Sequence, residues 1–227
     1  MSNKIIHHPD SATLMAYAAA TLPEALAAVV ASHVSMCAQC RAEVVDMELI
    51  GAALFHDIPA VSDTETVSHA RMSLPQDGYS SGVATLERPA VTAPAARSID
   101  ALPAPIAAVY GLSLDTIPWR RLAPGIWHYR LALREPSAGD LRLLKVAPGR
   151  ALPDHGHGGS ELTLVLKGSY SDVTGAYHHG DVQDVDESVE HQPIVGDDGY
   201  CICLIASERP AQFKSRLGRL LQPLTGM

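Results

Sequence analysis

The stretch His33-Val34-Ser35-Met36-Cys37-Ala38-Gln39-Cys40 sets one imidazole and two thiols in the spacing His-x3-Cys-x2-Cys. On a helix, residues three, four and seven apart share a face, so the three side chains converge. Zinc takes a tetrahedral set of nitrogen and sulfur donors, and this run supplies three of the four. The plain alternative is a surface histidine beside two cysteines that fill an apolar core. Three soft donors on one face by chance is the less economical reading. The spacing therefore predicts helices tied together by a metal.

A closed structural site needs a fourth protein donor. Cys201 and Cys203 lie far away in what reads as a separate domain. Nearer stand His7 and His8, just ahead of Pro9-Asp10-Ser11, where Asp10 or Ser11 can cap a helix carrying Leu14, Tyr17, Ala18 and Leu22. A histidine just before that cap can fold back over a neighbouring helix. His8 is the first choice and His7 the second, against the alternative that both are frayed terminal residues.

The run Thr21-Leu-Pro-Glu24 reads as a capping box with proline in a first turn. A second helix follows with Leu26, Val29, Val30 and His33, a bend is allowed between Cys37 and Cys40, and a third helix carries Val44 to Leu54 and ends before Pro59. Such a segment is too small to be stable on core burial alone, which suits a metal tie. A weaker helical pattern spans Thr66 to Leu74. From Pro75 to Pro105 the composition turns to Pro, Ala, Ser, Gly and Thr, the signature of a linker.

Beyond about Leu114, four strand-like runs stand out: Trp127–Leu133, Leu141–Val146, Glu161–Leu166 and Tyr200–Ile205. Gly, Pro and Asp turns at close spacing separate them, which implies an antiparallel sandwich or barrel. Ser215 to Leu221 suggests a closing helix. The fold class is thus α+β in two domains, a small zinc-tied helical bundle followed by an antiparallel β-barrel. The expected division is 1–75 helical, 76–110 linker and 111–227 barrel.

With 227 residues, 47% apolar and a formal charge of −8, the chain has enough material for real cores and the wrong charge for a general nucleic-acid binder. An acidic protein acting on DNA-binding machinery would bind that machinery's basic surface rather than DNA itself. The first residues lack a long apolar core and Ala25 to Ala31 is too short to span a bilayer, so a cytoplasmic location is expected. Thiols stay reduced there and ligate metals more often than they form disulfides.

The barrel region carries a second constellation, Pro153-Asp-His155-Gly-His157-Gly-Gly-Ser-Glu161, with Glu190-His191 further on. Residues two apart on an extended segment point the same way, so His155 and His157 can face one interior. Glu161 enters on the next strand, and His191 completes three nitrogens and a carboxylate. Such a set suits zinc, iron, manganese or nickel. His178 and His179 are read as bystanders. Cys201 and Cys203 alternate on one strand, roughly 7 Å apart, at the limit for a disulfide. They are read as buried inert thiols, with a redox pair as the alternative.

This region resembles the cupin family, whose first motif is matched from Gly149 through His155, His157 and Glu161 to Gly168. Gly180 to His191 fits the second motif loosely, without its internal proline and glycine. Both halves together resemble the ChrR family of anti-sigma factors, along His8-Pro-Asp-Ser-Ala-Thr-Leu-Met-Ala-Tyr-Ala-Ala, His33 to Cys40, Pro153 to Gly168, Glu190-His191 and Cys201-Ile-Cys203. The resemblance implies zinc ligands His8, His33, Cys37 and Cys40 in the anti-sigma domain. It implies cupin ligands His155, His157, Glu161 and His191, holding zinc or another divalent transition metal. It further implies that the helical domain clasps an extracytoplasmic-function type sigma factor, with Leu14, Leu26 or Phe55 as candidate contacts. The cupin would sense an oxidative signal such as singlet oxygen or an organic hydroperoxide. No catalytic residues follow from this reading. The competing class is a cupin metalloenzyme of dioxygenase or isomerase type.

Overall fold

A computed structural model describes residues 4–56, 101–135, 139–209 and 212–213. The helix expected over Thr66–Leu74, most of the expected linker and the closing helix over Ser215–Leu221 lie outside the described residues.

Three helices open the chain: α1 (Ser11–Ala18), α2 (Glu24–Met36) and α3 (Ala38–His56). Asp10 caps α1, its carboxylate accepting the Thr13 N–H. The capping box expected at Thr21–Glu24 does not form. Helix α2 starts at Glu24 with Pro23 as its cap, and the Thr21 hydroxyl instead donates back to the Ala16 carbonyl, 3.1 Å away. Glu24 turns outward and accepts the Arg134 N–H at 2.9 Å. Between α2 and α3 the chain turns at Cys37, whose ψ of 114° is extended. Its N–H still donates to the His33 carbonyl and its own carbonyl accepts from Arg41, so one residue ends the first helix and opens the second.

A fourth helix, α4 (Ala104–Tyr110), lies within the segment assigned to the linker on composition. Gly111, at φ 62°, closes it in the left-handed conformation that favours glycine. Leu102 and Ile106 are buried, which anchors this end of the segment beside α2.

Twelve strands follow among the described residues: β1 (Arg120–Ala123), β2 (Ile126–Leu131), β3 (Asp140–Val146), β4 (His155–Gly156), β5 (Glu161–Lys167), β6 (Ser169–Asp172), β7 (Gly175–His178), β8 (Val182–Val185), β9 (Glu190–His191), β10 (Ile194–Val195), β11 (Cys201–Ser207) and β12 (Gln212–Phe213). Their pairings are antiparallel. The strands make a six-stranded sheet in the order β1-β2-β3-β11-β5-β8 and two three-stranded sheets, β10-β6-β7 and β12-β4-β9. The expected barrel is therefore open rather than closed, built as a large sheet faced by two small ones.

The large sheet is buried on both faces. Leu141, Leu143, Leu162, Leu164, Ile202, Leu204 and Ala206 point outward and join Leu14, Leu26, Val29, Val30 and Val44 of the helices in one apolar cluster. Their alternates Leu144, Val146, Val165, Cys201 and Cys203 point inward, with Ile126, Tyr170 and Tyr177. Burial on both faces is why these strands read as nearly continuous apolar runs. The helices thus pack on the sheet, and their own core is completed by it. Leu14 and Leu26, expected to face a partner, are 1% and 3% exposed and belong to this cluster.

On the face of β2 and β3 that also carries Leu141 and Leu143, the Lys145 ammonium stands over the rings of Trp119, Trp127 and Tyr200, at 5.8, 5.7 and 4.6 Å from their centroids.

Candidate metal centres

The turn at Cys37 corrects the simple one-face argument. His33 leaves the last turn of α2, whereas Cys37 and Cys40 sit at the start of α3. The bend carries the thiols back over His33. Arg41 fixes it by donating from its guanidinium to the Val34 carbonyl at 2.9 Å. His8, in the extended segment before α1, meets them from the other side. His8 Nδ1 lies 3.4 Å from His33 Nε2, 3.5 Å from Cys37 Sγ and 3.2 Å from Cys40 Sγ, and His33 Nε2 lies 3.3 Å from Cys40 Sγ. A tetrahedral ion with bonds of about 2.0–2.3 Å to nitrogen and sulfur sets neighbouring donors roughly 3.3–3.8 Å apart. The donor set fits zinc.

Protonation favours the same conclusion. Burial pushes the His33 imidazole down to about 4, so the ring is neutral at physiological pH. Its Nδ1 donates to the Gly180 carbonyl at 2.9 Å, which fixes the tautomer and leaves the Nε2 lone pair facing the thiols. Burial, with Cys37 beside it, pushes the Cys40 thiol up to about 12. A thiol so placed ionises when a cation takes the proton's place, and the helix N-terminus at α3 assists. His7 takes no part in the cluster, since its ring packs on Tyr177 with centroids 4.6 Å apart.

The second cluster sits on strands. Pairing of β4 with β9 sets His155 directly opposite His191. His157 follows β4 and Glu161 opens β5. The ring centroids of His155 and His191 are 4.7 Å apart, those of His157 and His191 5.0 Å, and the two Nε2 atoms of the latter pair 3.2 Å. In both clusters the four donor atoms lie within 4.8 Å of one another. His155 Nδ1 donates to the Pro153 carbonyl at 2.9 Å and His191 Nδ1 to Asp172 Oδ2 at 2.6 Å, so each presents Nε2 inward. His157 Nδ1 is buried and makes no hydrogen bond of good geometry among the described residues, and it lies 3.4 Å from Glu161 Oε2. Burial pushes the Glu161 carboxyl up, but the imidazoles of His157, His155 and His191 outweigh it, and the group sits below its usual value. A buried anionic oxygen among three imidazole nitrogens fits a divalent transition metal.

Asp172 is a residue of this cluster's surroundings that sequence reading missed. Its side chain is fully covered and also accepts from Thr174 and the Gln183 amide, the latter at 2.7 Å. Burial pushes its carboxyl up, yet these hydrogen bonds hold it below its usual value. Asp172-Val-Thr-Gly175 reads in sequence as a hairpin turn, and nothing local connects it to His191. His178 and His179 stay outside both clusters. Cys201 and Cys203 are buried free thiols whose Sγ atoms share a hydrogen bond at 3.6 Å rather than a disulfide. The neighbouring Cys201 thiol and burial push Cys203 well above the usual thiol value. No helix among the described residues is long and apolar enough to cross a membrane.

Comparison with known proteins agrees with both halves. The family described as the ChrR cupin-like domain matches residues 109–209. The anti-sigma-E factor ChrR of Cereibacter sphaeroides (strain ATCC 17023) is 39% identical over 222 residues, which span 96% of this chain and 97% of that protein. The crystal structure of Rhodobacter sphaeroides SigE in complex with the anti-sigma ChrR superposes with a TM-score of 0.69 at 33% identity, covering 90% of this chain and 99% of the matched one.

Proposed function

The chain belongs to the ChrR family of anti-sigma factors, and we propose that its helical unit sequesters an extracytoplasmic-function type sigma factor while its cupin-like unit senses an oxidative signal and governs release. It is a regulator of transcription, not an enzyme, and acts in the cytoplasm. The helical unit corresponds to residues 1–75, joined by the segment 76–110 to the sensor at 111–227.

The observation that carries this reading is the end of α3. Leu49, Ile50, Leu54 and Phe55 are 59%, 63%, 66% and 76% exposed, although the start of the same helix is buried at Cys40 and Val44. A run of large apolar side chains left in water on a helix marks a partner surface. The metal-tied corner at Cys37 would set the direction in which that helix projects. His8, His33, Cys37 and Cys40 would hold zinc, which supplies a structural cross-link between α2, α3 and the N-terminal segment. His155, His157, Glu161 and His191 would hold zinc or another divalent transition metal. Release requires the signal to favour the free state over the bound one. Loss of the ion or damage to a ligand in the sensor would act in that sense.

The test is co-expression of the full chain with an extracytoplasmic-function type sigma factor from the same genome, followed by gel filtration and metal analysis. A co-eluting complex that carries zinc and falls apart when treated with a singlet-oxygen source or an organic hydroperoxide is the expected result. Absence of any complex, with both clusters loaded, would sink the proposal.

A further inference from the structure

Two of the four donors in the helical cluster owe their placement to the cupin-like unit. The backbone on either side of His8 is held by β8 and the turn before it. The Val182 N–H donates to the His7 carbonyl at 3.1 Å, and the Asp10 N–H donates to Asp184 Oδ2 at 3.0 Å. The Asp181 carboxylate, in a residue only 1% exposed, takes the N–H groups of Ile6 and His7 through Oδ1, at 2.8 and 3.1 Å, and that of His178 through Oδ2 at 2.9 Å. The Gly180 carbonyl accepts from His33 Nδ1. Gly180 has φ 91°, and a Cβ there would stand 2.7 Å from Ile5 Cγ1, so the close approach of the N-terminal segment requires glycine.

We propose that Asp181, acting with the Gly180 carbonyl, is a positioning residue for the helical metal centre, so that the sensor unit supplies the outer shell of the centre in the other unit. The inference rests on the reading that His8, His33, Cys37 and Cys40 hold a metal. An extended segment ahead of a first helix frays unless it is tied down. Asp181 ties this one at the two residues before His8, and Asp184 ties it two residues after. Ordering His8 beforehand removes that cost from metal binding. The Gly180 carbonyl does the same for His33 by selecting the tautomer that ligates through Nε2. The same turn leads into β8, where Gln183 donates to Asp172, the carboxylate that holds His191 in the cupin cluster. One short strand therefore touches the outer shell of both clusters.

The experiment compares the full-length chain with its Asp181→Ala and Asp181→Asn variants after loading with Co2+. The thiolate-to-cobalt charge-transfer band, which a cluster of three histidines and a glutamate cannot give, is followed after addition of a chelator. Loss of an outer-shell partner lowers metal affinity by about 10-fold or more. Asp181→Ala is expected to lose the band about 10-fold faster than the parent. Asp181→Asn, which keeps the oxygen that accepts from Ile6 and His7, should give an intermediate rate. A rate for Asp181→Ala equal to the parent's overturns the inference. Absence of the band from the parent chain instead removes the metal reading on which it stands. Should Asp181→Ala fail to fold, Asp184→Ala decides the matter at the more exposed end of the same contact: faster loss supports the inference, an unchanged rate overturns it.

Discussion

The helical cluster and the sheet cluster solve the same geometric problem with opposite materials. In the sheet, His155 and His191 face each other because β4 and β9 are in register, and their outer-shell partners Pro153 and Asp172 lie in the same unit. In the helical unit, the donors come from an extended segment, a last helical turn and a corner, and their outer shell is borrowed from the turn at Gly180 and Asp181. Strand pairing fixes positions through the backbone, whereas helices and the segment ahead of them take their relative places from what they are packed against. The sheet cluster should therefore be the more self-sufficient of the two.

The harshest test of that difference replaces both Cys37 and Cys40 with serine. A structural zinc site contributes on the order of 10 kcal/mol to the folding of the unit that holds it, so the double variant should lose zinc and sigma-factor binding altogether. The cupin-like unit should keep its own metal and its β-sheet circular dichroism. Retention of tight sigma binding would show that the helical unit holds its shape without the ion. Phe55→Ala comes next. An aromatic anchor at an interface is worth about 2 kcal/mol or more, and calorimetric titration with the sigma factor should register the loss. Thermal stability of the free chain should move by only about 0.5 kcal/mol, because the side chain is exposed.

Asp172→Asn tests the sheet cluster by the same logic as the clasp on the helical one. The amide oxygen still accepts from His191 Nδ1 but without the negative charge that makes the ring a more basic ligand, and metal affinity at the cupin should fall by roughly 10-fold. Competition with a chelator in the Cys37→Ser, Cys40→Ser background isolates that site. An unchanged affinity would mean that the register of β4 with β9 is enough. The smallest effect is expected from Cys203→Ala, which removes a buried sulfur from the sheet interior. A loss of about 1 kcal/mol in urea unfolding with both metals retained would mark it as packing only.

Much of the fold is legible because the pattern is local. Four apolar runs become β2, β3, β5 and β11, and the His-x3-Cys-x2-Cys spacing brings its donors together, although by way of a corner at Cys37 that the allowance for a bend only partly anticipates. Periodicity shows that a face is buried without saying against what. Leu14 and Leu26 accordingly read as partner contacts, when the protein's own sheet covers them. The Thr21–Glu24 pattern fits a capping box, but Glu24 finds the Arg134 backbone and Thr21 the preceding helix. Asp172 and Asp181 cannot be recognised from sequence at all. Their partners lie 19 and more than 170 positions away, a distance no spacing rule spans.

The ammonium of Lys145 and the rings around it have a practical consequence. The chain contains two tryptophans, and both lie in that one group on the helix-facing side of β2 and β3. Indole emission is therefore a probe with a single address. Trp119 packs against the apolar cluster that the helices share with the sheet, so swinging the helices away would change the surroundings of that group, and a denaturation curve followed by fluorescence would report on the seam between helices and sheet.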